Sequence, residues 1–158
     1  MTTTVLETPH VVVAAAIAAK VSNPALAIPL ALGSHFVLER IPHWNPHLNS
    51  EFKKFGKIST QSTRIVIADS ALALSIGSFI SLLMLPDLAR ALTVLIACFI
   101  SVTPDLIEAP YYFLNKNSDF IVKKWIPFKK SIQEDAKPVA GLAIQFLIIL
   151  TSLWWIMG

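Results

Sequence analysis

Charge is what this sequence has least of. Of its 158 residues 15% are charged, where a soluble domain carries about 25%. Too few charged side chains remain to solvate a globular surface, and a hydrophobic share of 54% excludes a disordered chain. Glycine, with 5 residues, is too sparse for a collagen-like repeat. The single cysteine, Cys98, lies in an apolar run, which excludes a disulfide framework and a thiolate metal cluster. No internal repeat and no low-complexity tract interrupts the chain. The N-terminus reads as no signal peptide, lacking a basic stretch and a small-residue cleavage site. His-Glu-x-x-His is missing too, and with it the usual ligand pair and base of a zinc protease. The pI is near 9.1, but no basic domain accompanies it, and no nucleic-acid partner is expected.

What the sequence has instead is long apolar runs, over residues 9–21, 24–41, 64–85, 88–107 and 138–157. A helix needs roughly 20 apolar residues to cross the hydrocarbon core. The last three runs meet that length. The first two are short and are separated by Ser22-Asn23-Pro24, which predicts a tight helical hairpin. Prolines stand at or near most segment ends, and Pro29 lies inside the second run, where a membrane helix tolerates it. The expected fold is all-α, a single membrane-embedded domain over 1–158 built as a polytopic bundle of about five helices. Trp154-Trp155 in the last run suit the headgroup level.

Lysine and arginine set the expected orientation. Residues 44–63 carry Lys53, Lys54 and Lys57, with Arg64 just beyond, and residues 114–137 carry Lys116, Lys123, Lys124, Lys129, Lys130 and Lys137. The other side holds only Lys20 and Arg90. The positive-inside rule makes both basic loops cytoplasmic, in a bacterial-type inner membrane, with the N-terminus inside and the C-terminus outside. In the second loop Phe120, Ile121, Trp125, Ile126 and Phe128 alternate with lysine pairs, a mixture that suits a segment lying on anionic headgroups. A plain basic tether would read the same way.

Ionisable residues inside membrane segments cost roughly 2.5–3.5 kcal/mol each on insertion scales and point to function by default. Here they are His10, His35, Glu39, His43, Asp69, Asp105 and Glu108, all expected at the cytoplasmic side. His35 and Glu39 share a helix face at i,i+4, and Asp105 and Glu108 share one at i,i+3. Buried carboxylates need a cation. Arg40, the one basic residue near in sequence, projects about 100° away from Glu39. A divalent metal fits better, and imidazole with carboxylate suits zinc, manganese or iron. Seven candidate ligands exceed the need of one tetrahedral ion, so two ions are expected. Each residue also has a plainer reading: His10 and His43 at the headgroups, Asp69 as a cap, Asp105 in a turn. Gln145 reads as an interhelical hydrogen-bonding residue, and His47 as solvated.

The runs Thr8-Pro9-His10, Ser34-His35-x3-Glu39-x2-Pro42-His43-Trp44 and Thr103-Pro104-Asp105-Leu106-x-Glu108 resemble small bacterial inner-membrane proteins of the YdjM type. These are described as metal-dependent hydrolases, distantly similar to zinc-dependent phospholipase C and single-strand nucleases. The resemblance spans residues 8–110 and implies that the seven residues are ligands or near-ligands. Where many relatives carry Pro-Asp-x-Asp-His, this chain reads Glu39-Arg40-Ile41-Pro42-His43. The expected function is hydrolysis of a lipid phosphoester, an anionic phospholipid or a polyprenyl phosphate, at the inner leaflet. Glu39 or Glu108, whichever is not a ligand, would serve as base. The alternatives are a cation- or proton-coupled transport protein and a non-catalytic metal-binding membrane partner.

Overall fold

The computed structural model describes residues 6–158, and every regular element among them is helical. The order is α1 (Glu7–Lys20), α2 (Pro24–Glu39), α3 (Leu48–Phe55), α4 (Thr60–Leu82), α5 (Leu88–Leu106), α6 (Ala109–Leu114), a π-helical turn (Ile121–Trp125), α7 (Ile126–Ile132) and α8 (Pro138–Met157). Local chemistry explains the starts. Asn23 caps α2 by accepting from the Ala25 N–H at 3.0 Å, ahead of Pro24. Ser59 and Asp87 cap α4 and α5 in the same way, each side-chain oxygen taking up an amide that the first turn leaves free.

Three helices, α4, α5 and α8, are long and apolar enough to cross a membrane, with mean hydropathy of 1.9, 1.5 and 2.0. Leu74, Phe79, Phe99, Val139, Phe146 and Trp154 stand exposed on them, a surface suited to lipid rather than water. The shorter helices, α1 with 14 residues and α2 with 16, span roughly 21 and 24 Å at 1.5 Å per residue.

The sequence reading pairs α1 with α2 as a hairpin, and the two do pack together. The structure adds that α1 stands in the middle, packed against α4, α5 and α8 as well. Its alanines explain this. Ala14, Ala15, Ala16, Ala18 and Ala19 are all buried, and small side chains let four helix backbones approach one axis. Gly77 of α4 serves the same end: a Cβ there would stand 2.9 Å from Val11 Cγ1. Both ends of this buried helix are closed by side chains from far along the chain. Asp69 of α4 accepts from the backbone N–H groups of Glu7 and Thr8 and from Thr8 Oγ1, the last at 2.6 Å. At the other end Arg90 of α5 donates to the Ala19 carbonyl. An anion at the N-terminus and a cation at the C-terminus also answer the helix dipole.

The two basic stretches are more structured than loops. Residues 44–63 contain α3, stopped by Gly56 in the left-handed region at φ +68°. Its Leu48 and Phe52 pack on Tyr111 and Tyr112 of α6. Residues 114–137 contain the π-helical turn and α7, and they fold back over the end of the bundle where α1 starts and α2 and α5 finish. Trp125 Nε1 donates to the Pro104 carbonyl at 3.0 Å. Beyond α7, Glu134 N–H donates to Glu39 O at 2.9 Å, and Ala136 N–H donates to His43 O at 2.8 Å. The first turn of α8 then lies so close to residues 43–44 that a Cβ on Gly141 would meet the His43 carbonyl carbon at 2.8 Å.

Candidate metal centre

Three helices bring their polar residues to one point. His10 sits in the first turn of α1, His35 and Glu39 in the last two turns of α2, and Asp105 in the last turn of α5. Each offers one ligand atom, and these atoms all lie within 4.8 Å of one another. The His10 and His35 rings stack with centroids 4.3 Å apart. His35 Nε2 lies 3.5 Å from Glu39 Oε1, and His35 Nδ1 lies 3.9 Å from Asp105 Oδ2. The four residues are buried, none more than 3% exposed. Neither ring nitrogen of His10 or His35 has a hydrogen-bond partner among the described residues, nor does Asp105 Oδ2. Native interiors rarely leave such atoms unpaired. A tetrahedral ion with bonds near 2.1 Å needs donors roughly 3.4 Å apart, so two imidazoles and two carboxylates at these separations fit one divalent ion after small rotations.

The remaining candidates lie around this group. Asp69 is committed to the start of α1, as described above. His43 is buried, but its Nδ1 donates to the Ile41 carbonyl at 2.7 Å and its Nε2 faces the Gln133 amide nitrogen at 3.2 Å. That tautomer leaves Nε2 as acceptor for the Gln133 N–H. Burial pulls His43 below the usual imidazole range, which favours the neutral ring. Glu108 follows α5 as the residue before α6. It is 2% exposed, and its Oε1 has no partner among the described residues. Burial pushes its carboxyl up to about 7, against the pull of the nearby Lys129 ammonium. Gln145 of α8 is buried as well, yet neither amide atom finds a partner among the described residues. The interhelical bond expected from the sequence is not made.

Lys129 is the residue that sequence reasoning misses. Composition groups it with the headgroup lysines of its segment, but it is buried. Its ammonium sits on Asp105 Oδ1 and lies 3.3 Å from Glu39 Oε1. Burial alone would lower its pKa, but Asp105, Glu39 and Glu108 outweigh that and hold it well above the usual lysine range. The buried carboxylates therefore have a cation from the chain itself, while Arg40 is exposed. A signal is present: Lys129 lies three residues after Ile126 and four after Trp125, on the face of α7 that packs inward. Scanned against protein-family models, curated proteins and solved structures, the chain matches none of them.

Proposed function

We propose that this chain is a membrane-embedded, metal-dependent hydrolase of a lipid phosphoester. One observation carries the reading: His10, His35, Glu39 and Asp105 converge from three helices with their donor atoms within 4.8 Å and buried. The ion suited to this set is zinc, with manganese or iron as alternatives. The sequence reading expects two ions; the proposal carries one, since no second set of three or more such donors gathers among the described residues. When bound, a divalent ion supplies Lewis acidity toward a phosphoryl oxygen and makes water more acidic. Glu108, close to the group but outside it, is the candidate base. Its pKa of about 7 suits it to take a proton from the attacking water as the phosphorus–oxygen ester bond breaks.

The lipid character of the substrate follows from surroundings. The segment over the centre exposes Phe120, Val122 and Phe128 beside Lys123, Lys124 and Lys130, which favours contact with anionic headgroups. The lysine asymmetry favours the inner leaflet of a plasma membrane. The resemblance to YdjM-type proteins points the same way. A transport path would need polar groups through the whole thickness, and here they crowd one end.

A second reading rests on Lys129. Its ammonium between two carboxylates suits a metal-free charge network with a structural or partner-binding role. Metal analysis by mass spectrometry of the detergent-purified protein separates the two. The hydrolase reading expects one ion per chain, lost in His35→Ala, and phosphate release from lipid vesicles. An ion-free protein after reconstitution with zinc and manganese would leave the charge network.

A further inference from the structure

The two basic stretches meet at a pocket that none of the four centre residues lines. It holds about 120 Å³, between Asn49 and Lys53 of α3, Tyr111 of α6 and Lys130 of α7, with apolar residues of the π-helical turn and α7 completing it. One water takes about 10–15 Å³, so a tetrahedral phosphate has room. Tyr111 and Ile126 of its lining belong to the apolar cluster that joins α3, α6 and α7, which sets the two lysine-bearing helices against each other. No acidic residue lines the pocket. Neither Lys53 nor Lys130 makes an ion pair among the described residues. Glu51, the acid of α3, is taken by Ser59 and Ser62. Asn49 is 1% exposed, and neither atom of its amide has a hydrogen-bond partner among the described residues. Consecutive lysines of α7 thus serve two places. Lys129 turns to Asp105 and Glu39, while Lys130, about 100° round the helix, lines this pocket.

We propose that this pocket binds one phosphate group, supplied by the head of an anionic phospholipid or by free phosphate. Two unpaired ammonium groups on the walls of one small pocket repel each other, and an anion between them turns the repulsion into attraction. Lysine binds phosphate as a point charge. Asn49 adds a directional donor, because a phosphate oxygen would give its N–H the acceptor it lacks, and native interiors rarely leave a buried amide unpaired. The same segment exposes Val122 and Phe128, which suits a lipid head arriving from the bilayer surface. With His10, His35, Glu39 and Asp105 absent from the lining, the inference goes beyond the hydrolase reading and does not depend on a bound ion.

Isothermal titration calorimetry of the detergent-purified full chain tests the proposal, with inorganic phosphate and a short-chain phosphatidylglycerol as separate probes. Wild type is expected to bind one equivalent. Binding of phosphatidylglycerol alone would fix the source as a lipid head, and binding of phosphate alone would fix it as the free ion. Lys53→Gln and Lys130→Gln are each expected to weaken binding about tenfold, the equivalent of about 1.4 kcal/mol. Lys57→Gln and Lys124→Gln remove the same charge outside the pocket and are expected to leave binding unchanged. All four lysines are exposed, so none of these changes disturbs a buried contact. No binding in wild type, or equal losses in pocket and control variants, would overturn the site. Repeating the titration after chelation separates this site from the metal centre. Binding retained without metal keeps the pocket, whatever becomes of the hydrolase; binding lost with the metal would place the anion at the metal centre and overturn the pocket.

Discussion

The two ends of α1 lie in one bundle and are treated in opposite ways. At the Ala19 end the buried polar groups are used up. Arg90 donates to Ala19 O, Ser81 to Ala91 O, and Thr93 to Ala89 O, and among the described residues the one buried side-chain atom left over there is Arg90 Nε. At the His10 end both ring nitrogens of His10 and His35, Glu39 Oε2, Asp105 Oδ2 and Glu108 Oε1 lack hydrogen-bond partners among the described residues, as do the amides of Asn45, Asn49 and Gln145, while Glu39 Oε1 has the Lys129 ammonium 3.3 Å away. The His10 end is also the more deeply buried, since Arg90 is half-buried and Ala89 exposed. One end is finished by its own hydrogen bonds, and the other keeps donors in reserve at a separation that suits an ion. A buried orphan acceptor costs about 1–3 kcal/mol, and the four residues of the centre carry several of them at one point.

The comparison can be broken most sharply at Glu108. If it is the base, Glu108→Gln should lower lipid phosphate release by about 10²–10⁴-fold with metal content kept. In wild type, release should rise with pH and reach half its maximum near Glu108's raised pKa of about 7, because the base works only when deprotonated. The same shift lowers stability progressively as pH rises from 4.5 to about 7 and keeps it lowered above that, since over that window the folded protein holds a proton that the unfolded chain releases. A flat pH profile in wild type would remove Glu108 from the reaction.

Lys129→Met comes next. Without metal it strips the cation from buried Asp105 and Glu39, and losing one partner of a buried pair costs about 3–5 kcal/mol. Added zinc should restore most of that if the four donors hold an ion, read as a recovered thermal midpoint. Failure of zinc to restore it would support the charge network. Arg90→Met acts at the finished end. It is expected to cost about 1–2 kcal/mol through the lost cap and dipole contact while leaving metal content at the wild-type level. A loss of metal there would show the two ends to be coupled. The smallest effect is expected from Ser59→Ala at the start of α4. It removes the acceptor for the Ser62 N–H at about 1 kcal/mol, visible as a lower midpoint with metal content unchanged.

Much of the centre is legible in the order of residues. His35 and Glu39 announce themselves by i,i+4 spacing in an apolar run, and the proline-bounded segments put His10 and Asp105 at the same depth. Asp69 shows the limit of depth as a guide. It lies at the right level, but the start of α1 is nearer and takes both its oxygens. His43 shows the same limit, since Gln133 and Ile41 engage its ring. Lys129 is hidden by composition. Among six lysines between 116 and 137, nothing in residue type marks the one that turns inward.

Sequence alone determined the helical class, the three membrane-length helices and the residue types of the centre, because hydropathy and helical period are local properties that chain order displays directly. Tertiary structure alone decided that α1, the short alanine-rich helix, is the axis of the bundle, while α8, which buries only Gly141 and Gln145, stays at its edge. Hydropathy could not separate them, because apolar side chains are equally content with lipid or protein. Side-chain size separates them: alanine lets neighbouring backbones close around α1, while Leu142, Leu147, Leu150 and both tryptophans of α8 stand exposed and Leu153 packs on the core. The choice of Lys129 over its neighbours is of the same kind. It depends on where Trp125 meets Pro104 and where Glu134 meets Glu39, contacts between residues far apart in the chain, and the spacing of Lys129 from Ile126 and Trp125 marks it only once those contacts fix the inward face.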